Sequence, residues 1–455
     1  MKVAKFGGSS LASAKQVEKV CSIIEQDPER RLIVVSAPGK RTPDDTKVTD
    51  LLIKLAEAEL AGRSVKEILS DIVSRYAEIA LAFGVDTAFI HSIGTDLAGR
   101  LSAKYESDGQ FMDAMKAAGE DNNARLIAEI LKQRGVEANY VNPKDGGMIL
   151  SDEAGNARVL PKSYKQLNAL RTRPGVTIFP GFFGYAESGH VVTFPRGGSD
   201  ITGAILAAAV EADIYENFTD VDSVLAANPA FVKDPSPIHS LTYREMRELS
   251  YAGFSVFHDE ALEPVVHRGI PVHVRNTNNP KAAGTAIVKS REINKERPVV
   301  GIAATDGFCN IFISKYLMNR EVGFGRRVLQ VLEEEGIPYE HTPTGIDNMS
   351  VVIREALFTE AMEKRVLANI QAAVNADDVT IERGIALVMI VGEGMNHAIG
   401  LTGRAGSALG RGNVNIEMIN QGSSEVSMMF GVKAEEMQAA VQSLYEEFFL
   451  DPTGL

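Results

Sequence analysis

The chain has 455 residues, 45% of them hydrophobic and 24% charged, which fits a soluble globular protein of about two to four domains and excludes a low-complexity or disordered one. A formal charge of −13 excludes a general nucleic-acid binder, because phosphate contact is dominated by Lys and Arg, so an anionic ligand needs local basic or main-chain amide sites. Cys21 and Cys309 lie far apart and suggest neither a disulfide framework nor a thiolate metal site; no apolar run reaches the roughly 18 residues of a membrane span or forms a signal peptide, so a cytoplasmic location with no membrane partner is expected.

The first strand runs into KFGGSS (Lys5 to Ser10). Adjacent glycines at 7 and 8 let main-chain N–H groups converge on an anion, because no Cβ blocks the approach. A helix beginning at Ser10 and running through Ala14 to Ile24 adds the partial positive charge of its N-terminus. Lys5 supplies an ammonium, and the Ser9 and Ser10 hydroxyls can donate to anion oxygens. The stretch reads as a phosphoryl site, with an ordinary glycine turn as the alternative. It is not a Walker A loop, since the GxxxxGK[ST] spacing is absent.

RLIVVSAP (31–38) reads as a buried strand, and TDLLIKLAEAEL (49–60) as an amphipathic helix capped by Thr49 or Asp50. Glu120, in AAGEDNN, is placed near a helix start, where the helix dipole alone accounts for an acid. GVTIFPGFFG (175–184) and ADIYENFTD (212–220) are strand-then-turn units, with the apolar helix TGAILAAAV (202–210) between them. Just before that helix, FPRGGSDITGA (194–204) gathers Arg196, two glycines, Ser199 and Asp200. A guanidinium there suits a carboxylate or phosphate, and Asp200 is either an N-cap or an acid of the site. Two such loops in one domain point toward phosphoryl transfer. Thr219 and Asp220 end a strand, where ligands gather in open α/β sheets; Asp220 and Asp222 read either as helpers of Mg²⁺ or as solvated turn residues. His258, His267 and His273 have no metal or triad spacing and read as structural. PVHVRNTNNPKAAGTAIV (271–288) supplies the last strands of the region, and VKSREINKERP (288–298) is a linker.

Beyond the linker a repeat appears. CNIFISKYLM, VGFGRRVLQVLEEEGI, PYEHTPTGI, NMSVVIREA and TEAMEKRVLANIQAAV read as strand, helix, strand, strand, helix, and the order recurs from IALVMIVGEG to KAEEMQAAVQSLYEEFF. Gly323 and Gly325, then Gly400 and Gly403, stand where a first strand passes into a first helix. Two βαββαβ modules are expected.

Taken together, KFGGSS, RGGSD, NFTDVD, RNTNNPKAAGTAI and the two glycine-led modules resemble the aspartate kinases of the amino-acid kinase superfamily, over essentially the whole chain. The resemblance implies a three-layer α/β/α, carbamate-kinase-like catalytic domain over residues 1–292, followed by two ferredoxin-like ACT domains over 299–380 and 381–455. It implies ATP- and Mg²⁺-dependent phosphorylation of the L-aspartate side-chain carboxylate, the entry to lysine, threonine and methionine synthesis. That carboxylate, with a pKa of about 3.9, is already ionised and needs no general base; the obstacle is anion attacking anion.

By the same resemblance Lys5 stabilises the transferring phosphoryl, with Gly7, Gly8 and Ser9 in its loop. Thr49, Glu120, Arg196 and Ser199 contact the substrate, Glu120 through its amino group and Arg196 through its α-carboxylate. Asp200 organises the site, Thr219 and Asp220 contact the nucleotide, and no direct protein ligand to the metal is expected. Leu225, Ala230 and Ser255 stand where relatives often carry Tyr, Arg and Lys; either other residues, such as Lys233 or Arg275, replace the lost charge or nucleotide affinity is lower. Met318, Gly323, Phe324, Glu340, Thr344 and Asp347 are candidates for an effector pocket, in which an acid suits a cationic amino acid such as lysine; for each, an ordinary strand end or turn is the alternative. A homodimer or dimer of dimers through the ACT domains is implied. A kinase for another amino acid and a non-catalytic sensor are the competing readings.

Overall fold

The computed structural model describes residues 1–450 apart from Arg196, residues 255–260, His397 and Ser423. Arg196, Ser255 and His258 therefore lie outside the described residues. The chain divides into two compact units, each assembled from separate stretches. The first comprises residues 1–224, 237–247 and 255–291; the second comprises 225–236, 248–254 and 292–455.

An eight-stranded sheet forms the centre of the first unit. Its strands are β1 (Lys2–Phe6), β2 (Arg30–Val35), β3 (Ala138–Tyr140), β4 (Val176–Pro180), β5 (Ile214–Thr219), β6 (Ser240–Thr242), β7 (Val272–Asn276) and β8 (Thr285–Val288). In space they run β6-β8-β7-β5-β1-β2-β4-β3, with β7 and β8 antiparallel and β3, β4, β2, β1, β5 and β7 parallel. The short apolar runs that close on glycine or proline suit such a sheet, buried on both faces. Because side chains alternate along a strand, Ala4 and Phe6 join Ile33 and Val35 in one core, whereas Lys5 belongs to the opposite set.

That core is filled by five helices: α1 (Ala14–Glu25), α2 (Val48–Leu60), α3 (Lys66–Ala82), α4 (Thr87–Ser102) and α5 (Asp108–Gln133). On the face that Lys5 shares, α6 (Gly198–Ala209) packs along β1, its N-cap Gly197 in the left-handed region at φ 83°. Three expectations about helix starts are corrected. Ser10 lies in a short 3₁₀ turn (Gly8–Leu11), and α1 starts after Ser13, because Ser10 Oγ pairs with Thr277 Oγ1 at 2.7 Å instead of capping. Lys47, with extended backbone and no side-chain cap bond, precedes α2 rather than Thr49 or Asp50. Glu120 lies deep inside the 26-residue α5, far from the dipole that would have explained it.

The second unit holds a five-stranded antiparallel sheet. Its strands are β9 (Gly301–Ser314), β10 (Asn348–Arg354), β11 (Asp378–Val391), β12 (Met418–Asn420) and β13 (Ser427–Lys433), in the order β10-β9-β11-β13-β12. Helices α7 (Phe324–Glu334) and α8 (Glu360–Val374) bury Val328, Leu332, Val366 and Ile370 against Ile311, Ile313 and Val351. Helices α9 (Leu401–Arg411) and α10 (Met437–Tyr445) follow the second half of the repeat. Both α7 and α9 start behind a left-handed glycine, Gly323 and Gly400. The strand expected over PYEHTPTGI is reduced to two isolated bridges, His341 to Val352 and Thr344 to Met349. The boundary expected between residues 380 and 381 falls inside β11.

Candidate active site

A cavity of about 410 Å³ in the first unit is lined by Lys5, Thr49, Glu120, Ser199 and Asp200, which lie apart in the sequence. They arrive from four elements: Lys5 from β1, Thr49 from α2, Glu120 from α5, and Ser199 with Asp200 from α6. Lys5 comes from β1, at the carboxyl-terminal side of the parallel strands where open α/β sheets bind ligands. Its ammonium meets Asp200 Oδ1 at 2.7 Å, and only 8% of the residue is exposed. Asn217, beside Lys5 on β5, donates to the same oxygen at 2.6 Å, and Tyr215 Oη donates to the Asp200 carbonyl at 3.2 Å. Asp200 thus sits in the first turn of α6, where its charge also suits the helix dipole, and holds the lysine in place.

Behind β1, packing leaves little room for a side chain at Gly8 and none at Gly39. Gly39 donates its N–H to the Gly8 carbonyl at 2.8 Å, and a Cβ on Gly39 would stand 2.6 Å from the Gly8 carbonyl carbon. A Cβ on Gly7 would fall 3.5 Å from the Lys5 ammonium, within reach of any anion held there. The strand end, Gly7–Ser9 and Gly39 therefore form one close-packed main-chain loop beside Lys5.

Glu120 faces the cavity with unusual electrostatics. It is 5% exposed, and its Oε2 has no hydrogen-bond partner. Burial pushes its carboxyl up to about 8, and the N–H groups of Ala37 and of Glu120 itself oppose this only in part. A buried oxygen without a partner is costly, so a cation delivered by a ligand would relieve it.

Thr219 and Asp220 close β5 beside β1, with Thr219 Oγ1 donating to Asp220 Oδ1 at 3.2 Å; neither lines the cavity. Asp222 is occupied by Asn276 and Asn279 at 2.7 and 3.2 Å. Arg275 donates to Glu216 Oε1 at 2.8 Å and to the Pro280 carbonyl at 2.6 Å. Leu225, Ala230 and Lys233 fall in the stretch that belongs to the second unit. Sequence reasoning missed Ser36, Lys47, Lys116, Gly155 and Phe182 in the cavity wall. Phe182 is a non-glycine residue at φ 75°, fixed by N–H donation to Thr202 Oγ1 at 3.0 Å, and such strain gathers at functional sites.

In the second unit Met318 starts a short turn after β9, Gly323 caps α7 and Phe324 is its first residue. Asp347 accepts the Leu317 N–H at 2.8 Å through its side chain and the Lys315 N–H at 2.8 Å through its carbonyl. Thr344 Oγ1 donates to the Thr342 carbonyl at 3.1 Å. Glu340 turns to other partners, accepting from Arg354 Nε at 3.0 Å and from the Tyr251 hydroxyl.

Residues 1–276 match the amino acid kinase family profile and residues 388–448 that of the ACT domain. The chain is 57% identical to Aspartokinase 3 of Bacillus subtilis over 449 residues, 99% of each chain. The aspartate kinase of Clostridium acetobutylicum superposes with a TM-score of 0.85 at 37% identity, over 98% of this chain and all of that one. Aspartokinase III of Escherichia coli superposes in its complex with aspartate and ADP (TM-score 0.81, 26% identity, 99% and 100% covered). It also superposes in its complex with lysine and aspartate (TM-score 0.73, 25% identity, 99% of each covered). The chain belongs to the amino acid kinase family and, within it, to the aspartate kinases. It is a carboxyl-phosphorylating kinase with an ACT region.

Proposed function

We propose that the cavity is where ATP and L-aspartate meet, and that Lys5, Asp200 and Glu120 carry the reaction. The observation behind this reading is that a buried Lys5–Asp200 ion pair and a partnerless Glu120 oxygen share one cavity wall. Glu120 accepts the substrate ammonium, while Thr49 and Ser199 offer hydroxyls to its polar groups. The substrate β-carboxylate attacks the γ-phosphorus. The bond to the β,γ-bridging oxygen breaks, and the products are 4-phospho-L-aspartate and ADP. No proton moves in this step. Lys5 places positive charge against the transferring group, and Asp200 with Asn217 keeps that ammonium from wandering. The Gly7–Ser9 loop brings main chain close to the phosphates, and Thr219 and Asp220 meet the nucleotide.

A Mg²⁺ ion would be carried largely by nucleotide oxygens and water, and Asp200 and Asp220 would be the acids to hold that water. When bound, that ion neutralises charge on the phosphate oxygens. The assay is ADP release with aspartate, glutamate and acetylglutamate as acceptors; turnover with aspartate alone is expected, and turnover independent of Lys5 would refute these roles.

Feedback control is assigned to the junction of Met318, Gly323, Phe324, Thr344 and Asp347, with lysine as effector. Support comes from the acid at Asp347 and from the lysine complex of the Escherichia coli relative. Tyr316, Val322 and Ile346 are exposed beside it, which favours pairing of two chains there. Titration of activity with lysine, threonine and methionine tests the effector, and sedimentation tests the dimer. The pathway role, as the first step toward those amino acids, follows from the same reading.

A further inference from the structure

We infer that Asn123 is a positioning residue for substrate binding: it fixes the Ser36–Ala37 peptide that holds Glu120 in the cavity. Asn123 lies one turn after Gly119 and Glu120 on α5, so the three share a face of the helix. The peptide that follows β2 lies against that face. Asn123 Nδ2 donates to the Ser36 carbonyl at 2.6 Å, and the Ala37 N–H, at the other end of the same peptide unit, serves the Glu120 carboxylate. In a trans peptide these two groups point opposite ways, so the unit is gripped from both ends along one helical turn. Gly119 makes the approach possible, since a Cβ there would stand 2.8 Å from that of Ala37. Ser36 in turn lines the cavity with Glu120.

The chemistry of Asn123 fits positioning better than a role in the fold. Only the amide nitrogen can face a carbonyl, so Oδ1 points elsewhere, and it has no partner although the residue is fully buried. A buried acceptor without a partner costs at least as much as one neutral hydrogen bond contributes, so Asn123 brings the fold little net stability. What it supplies is direction. The bond to the Ser36 carbonyl also polarises the shared peptide and strengthens the Ala37 N–H as a donor. The Glu120 carboxylate then keeps one oxygen on the main chain and leaves the other, Oε2, open to the substrate ammonium. Asn123 itself does not line the cavity, so it acts through Glu120.

This inference rests on Glu120 receiving the substrate ammonium, so both are tested on the full-length enzyme with Asn123→Leu, Glu120→Gln and the double variant. Leu is close to Asn in size and cannot donate. Asn123→Leu should raise the KM for aspartate about tenfold, with kcat and the KM for ATP within about twofold. On Glu120→Gln the same change should add less than about threefold, because the peptide no longer positions a charge. A second readout is the pH profile of kcat/KM for aspartate. Lys5, Lys47, Asp50, Lys116 and Asp200 line the cavity with Glu120, and Tyr76 donates to the Gly119 carbonyl; their charges are the same in the variant. Freeing the Ala37 N–H removes an interaction that favours the ionised carboxylate, so the inflection should move to higher pH. An unchanged KM for aspartate, a rise repeated in full on Glu120→Gln, or an unmoved inflection overturns the role of Asn123. If Glu120→Gln alone leaves the KM for aspartate unchanged, the amino-group contact itself has failed. Should Asn123→Leu not fold, Asn123→Ala is judged by the same cycle.

Discussion

Replacing Glu120 by Gln separates what this residue does for binding from what it does to the fold. The folded protein holds the Glu120 proton more tightly than an unfolded chain would, because burial raises its value from the ordinary 4.5 to about 8. The resulting stabilisation is complete below the unfolded value and is lost as pH rises through about 8. At about 1.36 kcal/mol per tenfold change in proton affinity, that interval corresponds to at most about 5 kcal/mol, and water entering the cavity leaves a cost of about 2 kcal/mol. Gln stays neutral and can still accept from Ala37, so Glu120→Gln should match the wild type in thermal melts at pH 4, below the unfolded value, and exceed it at pH 9. Its KM for aspartate should rise about 100-fold, since a charge-assisted contact to the ammonium disappears. In the wild type, kcat/KM for aspartate should climb to a plateau above pH 8; kcat, which reports the occupied site, should lack that inflection. A melting curve for Glu120→Gln that is lower than wild type at pH 9, or an aspartate KM within twofold of it, refutes the assignment.

Lys5→Ala should lower kcat by about 10³-fold or more while the melting profile is kept, because Asp200 retains Asn217; steady-state ADP release and circular dichroism measure both. Gly39→Ala drives a Cβ into the Gly8 carbonyl, so it should cost about 1–3 kcal/mol in urea unfolding and raise the KM for ATP. Asp347→Ala removes the acceptor of the Leu317 N–H and should shift half-maximal lysine inhibition upward by about tenfold, with the uninhibited rate unchanged; an unaltered inhibition curve removes Asp347 from the pocket.

The parts of the site that the sequence displays are those whose chemistry is local. Lys5 with Gly7 and Gly8, and Ser199 with Asp200, each concentrate a charge and small residues within five positions, and a turn at a strand end accounts for both. Glu120 was visible as a candidate only through family resemblance; its local reading, an acid at a helix start, fails because α5 begins twelve residues earlier at Asp108. A usable signal was present: Lys116 and Glu120 are charged residues four apart in an otherwise buried face of α5, an arrangement that a core helix tolerates only with partners. Lys116 was overlooked because its position depends on Asp113, Gly155 and Thr193, which chain order does not bring together. Phe182 was equally hidden, since a positive φ at a non-glycine residue leaves no mark in composition.

The repeat was legible as an order of elements but not as a spatial division, and strand register explains why. Residues 308–314 of β9 pair with β10, while its earlier half, 301–305, pairs only with β11. Reciprocally, residues 385–391 of β11 pair with β13 while 378–382 pair with β9 alone among the strands. Each long strand therefore serves one module with one half and its neighbour with the other. The register between β9 and β11 shifts between Thr305 and Phe308, beside Gly307 at φ 84° and Gly384 at φ 70°. Left-handed glycines let both strands bulge at that crossing without a Cβ clash. A sequence search compares consecutive segments, so it assigns 301–305 to the first module and 378–384 to a boundary. The hydrogen-bond ladder instead makes the two modules share strands, so β9 and β11 are each common to both.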